Sequence, residues 1–191
     1  MPIERKTDLR VIKTRNAIRS TFKAMVMEMD APQITVKELT ERAMIHRKTF
    51  YLHYTTIEAL YEDILQELSQ HYYEKIDRLP PDVPFTEVNR IFFTFMAEQE
   101  PYMEKIVCSS SYREFADKLF MSMLAHNRTR HNPYAAYTQA QQNVINTFLG
   151  MTSINLYRRW IVDQKSMPLE ELISLSGKLF TYGVSSIVRQ D

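Results

Sequence analysis

The residue types best suited to chemistry fall in one short run, His46-Arg47-Lys48-Thr49-Phe50-Tyr51-Leu52-His53-Tyr54. Read as a helix, Phe50 and Tyr54 lie four apart and turn inward with Leu39 and Ala43, leaving His46, Arg47, Lys48 and Tyr51 outside. That outer face suits a polyanion with readable edges. An arginine can set two parallel donors on the O6 and N7 of a guanine. A lysine brings a mobile charge to phosphate, and the Tyr51 and Thr49 hydroxyls can bond phosphate oxygens and fix register. Thr35 stands at another helix start, where free N–H groups favour an anion, with Lys37 just beyond it. Each residue alone also fits plain solvated surface, and His53 fits a core or interface histidine. The grouping carries the argument.

Other chemistries find no such constellation. The single cysteine, Cys108, precludes a disulfide within the chain. It sits beside Ser109-Ser110-Ser111 with no histidine near in sequence, and helix capping accounts for the serines. His126 and His131 are five apart, a poor spacing for metal ligands. No phosphate-binding loop or dinucleotide fingerprint occurs. The expectation is a protein that is not an enzyme, with no catalytic residues, no metal and no cofactor.

The elements that must position the basic run are helical. Only three glycines occur, all from residue 150 onward, so few positive-φ turns exist for hairpins. Residues 9–29 place Ala17, Ile18, Phe22, Met25 and Met29 on one stripe, and Asp30-Ala31-Pro32 ends it. Capping boxes are predicted at Thr35…Glu38, Thr55…Glu58 and Ser111…Glu114. They open a short helix over 36–42, a long one striped by Ile57, Leu60, Tyr61, Ile64, Leu65, Leu68 and Tyr72, and a later one. The break at 43–45 leads into a helix over 46–54. Residues 80–84, with three prolines, read as a linker and 127–133 as a polar loop. Further helices are predicted over about 136–163 and 168–188. The expectation is an all-α chain of about nine helices, whose first three form a helix-turn-helix head with the second helix of the pair poised for a DNA groove.

Charge supports that split. Residues 1–53 carry 11 Lys/Arg against 6 Asp/Glu, while residues 54–191 carry 13 against 17. A basic head on an acidic body is what a chain needs if only its head meets a polyanion. No apolar run approaches a membrane span, and the N-terminus lacks the apolar core of a secretory signal, so a cytoplasmic protein without a membrane partner is expected.

Residues from about 10 to 65 resemble the DNA-binding head of TetR-type regulators. The stretches that carry the likeness are Thr14-Arg15-Asn16-Ala17-Ile18, Ile34-Thr35-Val36-Lys37-Glu38-Leu39 and Thr49-Phe50-Tyr51-Leu52-His53-Tyr54, continued by Glu58 and Leu60. The resemblance implies that Thr35, Arg47, Lys48, Thr49, Tyr51 and His53 lie against DNA. Two departures stand out. Met44 occupies a turn position where the family often has glycine or asparagine, so a differently built turn is expected. The family's lysine just after the recognition helix is absent, with Thr55 and Ile57 there instead. Arg5, Lys6, Arg10, Lys13 and Arg15 form a basic arm that could compensate.

The body resembles the family less closely. Gly150…Tyr157-Arg158-Arg159-Trp160 is similar to a compact Gram-positive type of C-terminal domain. The expected organisation is a DNA-binding domain over 1–55 and a ligand-binding and dimerisation domain over 56–191. By resemblance the last two helices pair two subunits. Phe148, Leu156 and Trp160 on one stripe, with Phe180 on another that ends at Ile187, mark that face, and Ser176 and Gly183 would permit close approach. The competing reading is that the same stripes pack on their own core. Phe92, Phe95, Met96, Tyr102 and Phe120 either line an adaptable apolar pocket for a small-molecule effector or simply fill the core. The leading expectation is a homodimeric, ligand-responsive repressor on double-stranded DNA. The alternative is a regulator-like coactivator that works by binding protein.

Overall fold

The computed structural model describes residues 9–80 and 83–183. Among them are nine α-helices, two 3-10 turns and no strand. The head comprises α1 (Leu9–Glu28), α2 (Val36–Arg42) and α3 (Arg47–Tyr51). The body comprises α4 (Ile57–Asp77), α5 (Phe85–Ala97), α6 (Pro101–Cys108), α7 (Arg113–Arg130), α8 (Gln139–Val162) and α9 (Leu169–Tyr182). No helix among the described residues is long and apolar enough to cross a membrane. Arg5, Lys6, Pro81, Asp82 and Ile187 lie outside the described residues.

Apolar spacing dictates which face each helix buries. In α1 the buried residues are Ile18, Phe22, Met25 and Val26. Ala17, expected in that stripe, is exposed, and Val26 takes its place. All seven apolar residues expected along α4 are buried, together with Ile76. The core is continuous from Ile18 and Phe22 in α1, through α4, to Tyr157 and Trp160 in α8. Where α5, α8 and α9 meet, the buried Asn89 donates to the Ser176 hydroxyl at 2.9 Å and accepts from the Ser153 hydroxyl at 2.8 Å.

Capping departs from the sequence pattern at each predicted box. The Thr35 hydroxyl does accept from the Glu38 amide at 3.2 Å. The Glu38 carboxylate, however, takes Arg42 at 2.9 Å, a competing charge-assisted bond one turn on. α4 is capped by Thr56, whose hydroxyl accepts from the Ala59 amide at 3.1 Å, so Thr55…Glu58 is not the box. Tyr112, not Ser111, precedes α7. The Ser111 hydroxyl instead accepts the Ala31 amide of the head at 2.7 Å. α7 also continues to Arg130, through most of the expected loop. Its last turns are held to α4, with Asn127 donating to the Tyr72 hydroxyl at 2.8 Å and Arg130 paired with Asp77 at 2.7 Å.

Ser111 belongs to a seam between head and body. Beside it the fully buried Tyr112 donates its hydroxyl to the Met29 carbonyl at 2.6 Å. Tyr61 of α4 stacks on Phe115 of α7 at 3.7 Å and meets Phe22 of α1 edge-on at 4.4 Å. Tyr112→Phe keeps the ring and removes the bond to Met29. It should lower unfolding free energy by about 1 kcal/mol in urea titration, and an unchanged midpoint would show that the bond contributes nothing.

Candidate nucleic-acid interface

The helix pair is set by a left-handed turn. Ala43 caps α2, the Met44 amide donates to the Glu41 carbonyl at 3.2 Å, and the Ile45 amide donates to the Thr40 carbonyl at 3.0 Å. This double closure is the Schellman arrangement, which normally takes glycine at the position Met44 occupies. Met44 has φ +52°, so the turn keeps its left-handed form despite the methionine, contrary to the expectation of a different build. Its side chain is 91% exposed, so the strain is confined to the backbone.

α3 is shorter than expected. It runs Arg47–Tyr51, with His46 as its cap residue and Leu52 and His53 in a turn beyond it. The inner side is fixed by Phe50, fully buried, and Tyr54, 6% exposed. Ala43, expected beside them, is half-buried. The Tyr54 hydroxyl donates to Asp63 of α4 at 2.8 Å and accepts from Arg15 Nε of α1 at 3.2 Å. Burial pushes the Tyr54 phenol up, so it stays protonated and able to donate at neutral pH. Asp63 also receives Arg15 and, at 2.6 Å, Arg19. Arg15, expected in a free basic arm, is therefore engaged within the head, and the Tyr54 phenol is the largest cause of its raised pKa.

The remaining expected residues lie as follows. His46, Arg47, Lys48 and Tyr51 are exposed on α3 and its start, and Thr49 and His53 are half-buried. Thr35 and Lys37 are exposed at the start of α2. The Thr35 oxygen is used by the Glu38 amide, which leaves its hydroxyl proton to donate. Ile57, at one place where the family's lysine is missing, is buried. Leu52, not among the expected contact residues, is 80% exposed beside Tyr51. Its position at the end of a helix with Phe50 inward was the available signal.

In the body the five expected pocket residues are buried but do not share one cavity. Phe92 and Phe120 line a void of about 30 Å³, room for a water or two. Phe95 instead meets the Tyr72 ring at 5.3 Å, and the Met96 carbonyl accepts the Tyr157 hydroxyl. Tyr102 lies under Lys23 of α1, 4.9 Å from its ring centre, with its phenol pushed up to about 12 by burial.

Of the residues expected at a subunit contact, Phe148 is 58% exposed, while Leu156 and Phe180 are half-buried. Trp160 is a core residue of its own chain, 8% exposed, donating its indole N–H to the Met167 carbonyl at 2.7 Å. Ser176 is spent on Asn89. Gly183 ends α9 at φ +72°, a backbone requirement and not a packing one. The close approach in the body is at Gly150, where a Cβ would fall 2.3 Å from a methyl of Leu124.

His126 and His131 serve α4: His126 stacks on Tyr73 and bonds Asp77 at 2.9 Å, and His131 bonds the Ile76 carbonyl at 3.3 Å. No group of three or more His, Cys, Asp or Glu side chains among the described residues could hold a metal. Desolvation raises the Cys108 thiol although the residue is exposed, which disfavours a reactive thiolate.

The whole arrangement superposes on solved structures. It matches a TetR transcriptional regulator from Streptococcus agalactiae with a TM-score of 0.69 at 20% identity, covering 91% of this chain and 96% of that one. The fold is that of the TetR-type regulators. FadR of Bacillus subtilis, in complex with stearoyl-CoA, matches with a TM-score of 0.67 at 13% identity over 88% of this chain and 98% of that one. FadR of Bacillus halodurans matches with a TM-score of 0.65 at 13% identity over 90% and 96%. In sequence, YxbF of Bacillus subtilis, an uncharacterized HTH-type transcriptional regulator, is 36% identical over 64 residues. That stretch spans 33% of this chain and 17% of YxbF. No family model matches the sequence.

Within this TetR-type head, Met44→Gly should relieve the left-handed methionine and raise unfolding free energy by roughly 0.5–1 kcal/mol. Thermal melting checks it, and a lower melting temperature would mean the methionine makes contacts that outweigh its backbone strain.

Proposed function

We propose that this chain is a TetR-family transcriptional regulator that binds double-stranded DNA as a homodimer. The observation that carries the proposal is the two-sided build of α3. Phe50 and Tyr54 are locked inward while Arg47, Lys48 and Tyr51 stand in solvent on one short helix. Residues 1–55 then read DNA, and residues 56–191 dimerise and receive a signal. Arg47 is the guanine reader, with Lys48 and Lys37 on phosphate. Thr35, Thr49, Tyr51, His46 and His53 fix register around them.

Dimerisation is supported by an exposed apolar stripe. Val144, Phe148 and Met151 recur at i, i+4 and i+7 on the outer face of α8, exposed by 70%, 58% and 37%. A second copy across a two-fold axis would cover it and set two recognition helices on one duplex. The role proposed is repression relieved by a small-molecule effector. The same fold holds stearoyl-CoA in FadR of Bacillus subtilis, which supports a ligand-receiving body. Action as a protein-binding coactivator is favoured by one feature, the exposure of Met44 and Leu52 at the tip of the head.

Fluorescence anisotropy on DNA from the upstream region, against a shuffled control across a salt series, separates the two readings. Sequence-dependent binding with a steep salt slope is expected, and equal weak binding to both duplexes would favour the coactivator. Arg47→Ala should cost about 1–3 kcal/mol of operator binding and relax preference at one base pair. Lys48→Ala should weaken all sequences alike and flatten the salt slope by about one. In light scattering, Phe148→Glu should give folded monomers. Trp160→Glu should instead unfold the chain, since it buries a charge.

A further inference from the structure

Three polar side-chain atoms with no hydrogen-bond partner are buried together between the start of α5, the end of α7 and the middle of α8. They are Asn127 Oδ1, His131 Nδ1 and Asn146 Nδ2. All three residues line one void of about 40 Å³. Such groups cost free energy unless something pairs with them. Their chemistry is readable. Asn127 spends its amide N–H on the Tyr72 hydroxyl, so its oxygen remains as an acceptor. His131 faces the Ile76 carbonyl through Nε2, which donates there, and in that tautomer Nδ1 is an acceptor. Asn146 contributes a donor. Arg128 lines the same void, makes no ion pair among the described residues, and meets no carboxylate in the lining.

Leu124 is the partition. It borders this polar void, the apolar void of Phe92 and Phe120, and an open groove between α7 and α8 leading to solvent. Its methyls sit where any side chain at position 150 would be, so only Gly150 admits that rotamer. A turn of the Leu124 side chain into the groove would join the three spaces into one chamber with a polar end and an apolar end.

We propose that this chamber binds a small amphipathic carboxylate bearing an O–H or N–H donor, with Leu124 as its gate. The carboxylate meets Arg128 and the Asn146 amide. The donor satisfies Asn127 or His131, and the apolar body lies against Phe92 and Phe120. The inference deepens the effector reading above and rests on it, but binding is measurable without DNA.

Isothermal titration of the full chain with 3-phenyllactate, whose carboxylate and hydroxyl share one end, tests it. Binding is expected, with 3-phenylpropanoate (no O–H) and 3-phenylpropane-1,2-diol (no carboxylate) each weaker by about tenfold, the scale of one lost hydrogen bond to a buried or charged group. Arg128→Gln and Asn146→Leu should each raise Kd about tenfold, with far-UV circular dichroism confirming that both fold. Leu124→Ala should speed association in stopped flow. Absence of binding by all three compounds, equal binding of all three, or indifference to both substitutions would overturn the proposal. Binding of lauroyl-CoA in place of the hydroxyacid would overturn the ligand class. Operator anisotropy without compound stands apart: probe binding lost with DNA binding intact refutes only this inference, and the reverse refutes only the DNA reading.

Discussion

The carboxylate of Asp63 ties α3 to the rest of the molecule. It receives two arginines from α1 and the hydroxyl of Tyr54, the residue that follows the α3 turn. Two segments, α1 and the residue closing the α3 turn, are thereby fixed at one point on α4, with Tyr54 itself buried between them. An inward anchor that is both packed and hydrogen-bonded leaves α3 little freedom to roll. The outward direction of Arg47, Lys48 and Tyr51 follows from that restraint, since five helical residues could not hold it alone.

The same α4 joins the head to the body. Ile57, Leu60 and Tyr61 close the head's core, and Ile64 to Ile76 run on into the body's. A second link crosses at Ser111 and Tyr112, which hold Ala31 and Met29 beyond the end of α1. α7 begins at that seam and carries Leu124, Asn127 and Arg128 at its other end. Displacement of α7 against α4 therefore strains the contacts that position α1, and α1 in turn anchors Asp63. The proposed chamber near Leu124 and the helix proposed to meet DNA are thus joined through packed helices, in a core where packed elements shift between discrete arrangements rather than deform smoothly.

The body also shows why burial and partnership differ. Trp160 and Phe148 lie on one helix, yet Trp160 closes the chain's own core through Met167 while Phe148 faces out. The stripes on α8 are therefore divided between the chain's own core and an exposed face. Of the residues expected at an effector pocket, Phe95, Met96 and Tyr102 fill the core. Phe92 and Phe120 border one void, while the other gathers around polar side chains, Asn127, His131 and Asn146, whose unmet hydrogen bonds are invisible without neighbours.

What the sequence by itself determined was local. Helical periodicity, scarce glycine and the prolines fixed the order of the helices and the inward faces of α1 and α4 to within one or two residues, because those signals depend only on spacing along the chain. The basic face of α3 was legible for the same reason. Tertiary structure decided whatever depends on competition between partners. Glu38 chose Arg42 over the Thr35 amide, Ser111 chose Ala31 over a helix cap, Arg15 chose Asp63 over solvent, and α7 lengthened because α4 offered Tyr72 and Asp77 to its last turns. Met44 took a left-handed turn because two backbone hydrogen bonds and the seating of α3 outweigh its local preference. In each case a side chain had a local option that the sequence displays, and a nonlocal one, stronger once burial removed water, that only the fold brings within reach.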